Sequence, residues 1–152
     1  MSIWWSLHLR REAASVPLAR RLLLGTMETA GVDPEISYDL SVALTEACAN
    51  AVEHGGAGAD RVVADGTEAY DVTAYLDGDC CRIEVADRGP GFPAHVGSRR
   101  KPSGALRENG RGLCLIEELA DHVLFRNRPG RGAVVSFDKV LKWREGALLK
   151  VS

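Results

Sequence analysis

Three short stretches of this 152-residue chain combine residue types that can do chemistry. In the first, Leu44-Thr45-Glu46-Ala47-Cys48-Ala49-Asn50-Ala51-Val52-Glu53-His54, Glu46 and Asn50 stand four apart and share one face of a helix. A carboxamide oxygen is a hard, neutral ligand for Mg²⁺, and a carboxylate can take the proton of an attacking hydroxyl or position a water. Taken alone, the pair reads more often as a solvated helix face. In the second stretch, Val85-Ala86-Asp87-Arg88-Gly89-Pro90-Gly91-Phe92, an aspartate ends an apolar run and enters a turn with two glycines. Its carboxylate can accept a hydrogen bond from an exocyclic amine such as that of adenine, while the glycines let the backbone pass close to a flat ring. An ordinary strand-to-loop turn has the same composition. In the third, Asn109-Gly110-Arg111-Gly112-Leu113-Cys114, two glycines open a helix, where free N–H groups and the helix dipole suit a phosphate. The stretch is neither a Walker A loop nor a dinucleotide fingerprint, because the Gly-Lys-Ser/Thr tail and the third glycine are absent.

In this order the three motifs together are far more specific than any one of them. ExxxN on a helix, DxGxG after a strand and GxG at a helix start resemble the GHKL ATPase superfamily, from about Leu7 to Phe137. Within it, "LTEACANAVEHG" and "GRGLCLIEELAD" look most like the bacterial anti-sigma factor serine/threonine kinases. The resemblance implies ATP and Mg²⁺ as cofactors, with Asn50 on the metal, Glu46 as general base, and Asp87 on the adenine amino group. Gly89 and Gly91 would then shape the base pocket. Gly110 and Gly112 would offer amides to the phosphates, with Arg111 and Leu113 in the same phosphate-binding turn. Residues 93–109 would form an ATP lid, and His54 would close the helix motif or cap its end. The implied partners are a sigma factor and a small antagonist protein that is phosphorylated, and the implied assembly is a homodimer. Two departures stand out. Ala133 occupies the place of a family Thr whose hydroxyl supports the adenine site, which should weaken nucleotide affinity. The 55–68 loop is also longer than usual.

The elements that must hold these residues are legible in outline. Alternation marks a strand from Trp4 to Leu9, and apolar residues at helical spacing mark a helix from Ser15 to Ala30, stopped by Gly31. Asp33-Pro34 reads as an N-cap with proline at the first helical position, opening a second helix that runs to Gly55. Val72, Ala74 and Leu76 alternate up to Asp77-Gly78, a hairpin signal, and Cys81, Ile83 and Val85 continue the pattern to Asp87. Residues 88–109 show no periodicity. Leu113, Ile116, Leu119 and Ala120 suggest a short helix, and Val123–Asn127 with Ala133–Val140 a last hairpin. Helices followed by a run of strands favour an α+β sandwich in one domain, residues 1–152. The resemblance adds a mixed, mainly antiparallel sheet covered on one face by helices, the Bergerat ATP-binding fold.

Composition removes several classes. A net charge of −2 argues against a general nucleic-acid surface, and no apolar run approaches the roughly 18 residues that span a bilayer. No signal peptide is read, and four cysteines without CxxC spacing suggest a reduced, cytoplasmic protein with buried thiols. The net figure hides a segregation: +3 over residues 1–24, −12 over 25–87 and +7 over 88–152. The last boundary falls immediately after Asp87. The basic block holds Arg99, Arg100, Lys101 and Arg107, any of which could reach a terminal phosphate and each of which reads as well as a solvated charge. Three functions fit. The first is an ATP-dependent kinase that is also an anti-sigma factor. The second is a nucleotide-binding module that sequesters partners without phosphotransfer, and the third an ATPase driving a conformational cycle. Glu46 favours the first, because a pure binder needs no base.

Overall fold

The computed structural model describes residues 2–54, 69–87, 107–128 and 132–144, without the side chains of His54, residues 107–112 and Arg128. Strand β1 (Ser2–Arg10) and a single 3-10 turn (Ala13–Ser15) lead into helices α1 (Val16–Ala30) and α2 (Pro34–His54). A hairpin of β2 (Ala69–Asp77) and β3 (Cys80–Asp87) follows, then helix α3 (Arg107–Leu119) and a second hairpin of β4 (His122–Arg128) and β5 (Gly132–Val140).

The strands form one sheet in the order β1-β2-β3-β5-β4, and every described pairing is antiparallel. The sheet is therefore antiparallel throughout, not mixed. β4 runs parallel to β3, but β5 lies between them, so the crossover through α3 never creates a parallel pair. Period-2 alternation sorts the side chains. Tyr70, Val72, Ala74 and Leu76 of β2 and Cys81, Ile83 and Val85 of β3 are buried on one face, and Leu9, Val135 and Phe137 share it. The opposite face carries Trp4 stacked on Tyr75 and two His–Asp pairs, His8–Asp71 at 2.7 Å and His122–Asp138 at 2.8 Å. The strands outrun the sequence expectation at several ends, because polar residues of this open face pair as well as apolar ones but give no apolar signal.

The helices cover the apolar face. α2 lies over β2 and β3, with α1 and α3 packed against its two sides. Leu40, Ala43, Leu44, Ala47, Cys48 and Ala51 form its buried stripe, and full burial of a side chain such as Leu40 or Leu44 contributes about 1.5–3 kcal/mol. Trp5 ties β1 to α1 by donating from Nε1 to Thr26 Oγ1 at 3.1 Å. Lys139 of β5 reaches across to the C-terminal end of α3 and donates to the Leu119 carbonyl at 2.8 Å, satisfying one of its free acceptors.

The α1–α2 corner is closed by a Schellman motif. Gly31 adopts φ 90, the Val32 N–H bonds back to the Met27 carbonyl at 3.0 Å, and Val32 and Met27 are both buried. Asp33 then caps α2, its Oδ1 accepting from the Glu35 N–H at 2.8 Å, with Pro34 at the first helical position as expected. Helix α3 starts at Arg107, earlier than its apolar pattern, which begins at Leu113. Its first turns are polar and glycine-bearing and so carry no apolar period. Residues 107–109, expected in the lid, are helical.

Candidate active site

Helix α2 brings Glu46 and Asn50 to one flank, and both are half-buried instead of standing on a fully solvated face. One turn of helix separates them, so they act on one space. Between them, on the buried side, lies Cys48.

Asp87 ends β3 on the helix-covered face, where it is buried. A carboxylate removed from water needs donors, and its Oδ1 accepts the Ala133 N–H of β5 at 3.2 Å. Ala133, where the resemblance led us to expect a Thr, thus holds Asp87 through its main chain. The hairpin turn pairs Asp77 with Cys80, and counting back along both strands brings Tyr70 opposite Asp87. Tyr70 is fully buried, in the same core cluster as Cys48 of α2. α2 packs on both β2 and β3, so the helix bearing Glu46 and Asn50 and the strand that ends at Asp87 share one core.

Other expected site residues fall differently. In a helix beginning at Arg107, Gly110 and Gly112 stand at the fourth and sixth positions. The expectation that the two glycines open the helix is corrected to this extent. Leu113 is a core side chain, packed in the cluster with Leu44 and Ile116, so it anchors α3 rather than facing a ligand with its side chain. Gly89, Gly91, the 55–68 loop and lid residues 93–106 lie outside the described residues, as do the side chains of His54 and Arg111.

The sequence reading missed Tyr70, Ser15 and Arg11. Ser15 Oγ lies 2.6 Å from the Tyr70 hydroxyl, and Arg11 donates from Nη1 to the Val52 carbonyl in the last turn of α2. The hairpin register alone would have found Tyr70. The other two are long-range contacts with no local signature. Burial pushes the Cys48 thiol and the Tyr70 phenol up to about 12 each, so both keep their protons. A groove of about 770 Å³ lies elsewhere, between α1, α2 and Arg144. It lacks the converging carboxylate and carboxamide, and chemistry outweighs concavity in locating the site.

The model of the histidine kinase-like ATPase domain family matches residues 9–139, nearly the whole described fold. The chain belongs to this family. Within it, this ATPase domain is 33% identical over 135 residues to a serine-protein kinase RsbW of Bacillus licheniformis, covering 83% of this chain and 78% of that one. It is 30% identical over 139 residues to the RsbW of Staphylococcus aureus, covering 86% and 82%. The domain is a member of the RsbW-type serine-protein kinases. Among solved structures, the RsbU and RsbW domains of a Mycobacterium tuberculosis protein match with a TM-score of 0.65 at 22% identity, over 97% of this chain and 35% of that one. The catalytic domain of the histidine kinase ThkA matches with a TM-score of 0.54 at 14% identity, over 92% and 99%. These two likenesses establish the fold. No described helix is long and apolar enough to cross a membrane.

Proposed function

We propose that this domain binds Mg-ATP between α2 and the end of β3 and transfers the terminal phosphoryl group to a serine or threonine hydroxyl of a small antagonist protein. In the same reading it sequesters a sigma factor and so regulates transcription in the cytoplasm, a compartment that its four free thiols fit. The observation that carries the proposal is the buried carboxylate of Asp87 at the end of β3, a strand on which the helix bearing Glu46 and Asn50 is packed.

Each residue has a task suited to its chemistry. Asp87, an acceptor-only group, would take a hydrogen bond from the exocyclic amine of adenine. Asn50 fits Mg²⁺ because that ion prefers few protein oxygens and keeps waters and phosphate oxygens for the rest of its shell. Among the described residues no cluster of three or more His, Cys, Asp or Glu competes for a metal. When bound, the ion would neutralise phosphate charge. Glu46, one turn away, would accept the proton of the attacking hydroxyl. The N-terminal turn of α3, with Gly110, would meet the phosphates. Arg111, Gly112, Gly89 and Gly91 belong to the same nucleotide site in this reading.

The decisive test is incubation with Mg-ATP and candidate antagonist proteins, read by intact mass. An added phosphate on a serine or threonine supports the kinase. Tight ATP binding without transfer to any candidate would instead support a module that switches partners without phosphotransfer. Light scattering reads whether the domain is a homodimer, the assembly common among related proteins.

A further inference from the structure

Helix α2 is 21 residues long, so its ends lie about 30 Å apart and each must be fixed separately. The N-terminal end is held by the Asp33 cap and by the Arg144 N–H on the Gly31 carbonyl at 2.9 Å. The other end carries Asn50, four residues before the last, His54. There the apolar grip thins. Beyond Cys48 the buried stripe is reduced to Ala51, with Val52 half-buried against the core. The last four carbonyls of a helix also lack intrahelical donors, and helix ends fray.

Arg11 answers both needs. It donates from Nη1 to the Val52 carbonyl, one of those four, and its charge suits the negative end of the helix dipole. The main chain around Arg11 is itself held on both sides. Arg10, immediately before it, ends β1 opposite Ala69 of β2, and Leu9 lies opposite Tyr70. Glu12, immediately after it, donates its N–H to the Arg10 carbonyl at 2.8 Å. The Glu12 carbonyl accepts the Ser15 N–H at 3.0 Å and the Ser15 hydroxyl at 2.7 Å. Ser15 in turn accepts from the Tyr70 hydroxyl, 2.6 Å away, which ties this turn to β2. Tyr70 is the cross-strand partner of Asp87. The ends of β1 and β3 and the start of β2 therefore lie side by side, and Arg11 reaches from that end of the sheet to the last turn of α2.

We infer that Arg11 is a positioning residue for the nucleotide site: its hydrogen bond to the Val52 carbonyl holds the last turn of α2, and with it Asn50, at the end of the sheet where Asp87 lies. The inference rests on the Mg-ATP reading given above and adds the contact that fixes the metal side of the site. Asp87 is held separately, by the Ala133 N–H. Loss of the Arg11 bond therefore spares base recognition and falls on what the metal adds through Asn50.

The experiment compares ATP affinity in Mg²⁺ and in EDTA, by calorimetry, for the full chain and its variants. The ratio of the two affinities measures what the metal adds, and Asn50→Ala defines its complete loss. Arg11→Met keeps the aliphatic stem and removes the donor. It should retain the affinity in EDTA yet weaken Mg-ATP binding by about tenfold, the scale of one net hydrogen bond. Arg11→Lys, which keeps a charged donor, should recover most of the metal-dependent gain. If Arg11→Met fails to fold, Arg11→Gln, too short to span the same distance, carries the same expectation. An unchanged ratio in a folded variant, an equal loss under both conditions, or a Lys variant no better than Met would overturn the positioning role. If the unsubstituted protein binds no ATP, or Asn50→Ala leaves its Mg²⁺ gain intact, the nucleotide or metal reading itself fails, and this inference with it.

Discussion

At Asp87 the strand β3 delivers a carboxylate into the protein interior, where charge persists only with donors at hand. The Ala133 N–H supplies one at 3.2 Å, which aims the carboxylate. Asp87→Ala should therefore abolish ATP binding, and undiminished affinity by calorimetry would sink the assignment. Glu46 stands in contrast, half-buried on the α2 flank and invoked for proton transfer alone. Glu46→Ala should keep ATP affinity and lower phosphotransfer by roughly 10²–10⁴-fold, the usual contribution of a general base. Phosphorylation at an undiminished rate would remove Glu46 from that role. Both residues were candidates in the sequence because their types and spacing suit the chemistry. That Tyr70 lies opposite Asp87 was not legible, since a buried tyrosine in a strand reads as core until the hairpin register is known.

The elements succeed where capping and turn chemistry agree with periodicity. Gly31 is the clearest case. Its φ of 90 closes α1 and sets the direction of Asp33, which caps α2. The corner is then tied to the C-terminal segment by the Arg144 N–H on the Gly31 carbonyl at 2.9 Å. An alanine in this left-handed conformation costs about 1 kcal/mol or more, so Gly31→Ala should lower the urea midpoint correspondingly. A variant as stable as the parent would show that the corner tolerates another path. Helix α3 shows the opposite situation. Its N-terminal half has no apolar period, so the sequence placed its start at the glycines, whereas the backbone is already helical at Arg107. That shift puts Gly110 and Gly112 inside the helix instead of at its start, a point no motif could settle.

At the scale of the whole molecule, three protonated groups lie in the core. Burial raises the Cys48 and Cys81 thiols from 9.0 to about 12, and the Tyr70 phenol from 10.0 to about 12. The folded state retains protons that the unfolded chain gives up above about pH 9, so folding stability must fall as pH rises from there towards 12. Thermal melts should be unaffected by these groups below pH 9 and decline above it, with a shallower decline in Cys81→Ala. A melting temperature constant from pH 9 to 11 would contradict the buried, protonated thiols. The charge segregation also acquires a place. The acidic block builds α2, β2 and β3, including Glu46 and Asp87, and the basic block begins immediately beyond Asp87.

The sequence by itself determined the α+β class, the three motifs in their order, the helix caps and both hairpins. All of these follow from periods of 2 and 3.6 and from local turn chemistry, which act over a few residues. Only the tertiary structure decided that every described strand pairing is antiparallel and that Asp87 is buried on the helix-covered face, across the hairpin from Tyr70. Strand order and burial depend on contacts between residues far apart in the chain.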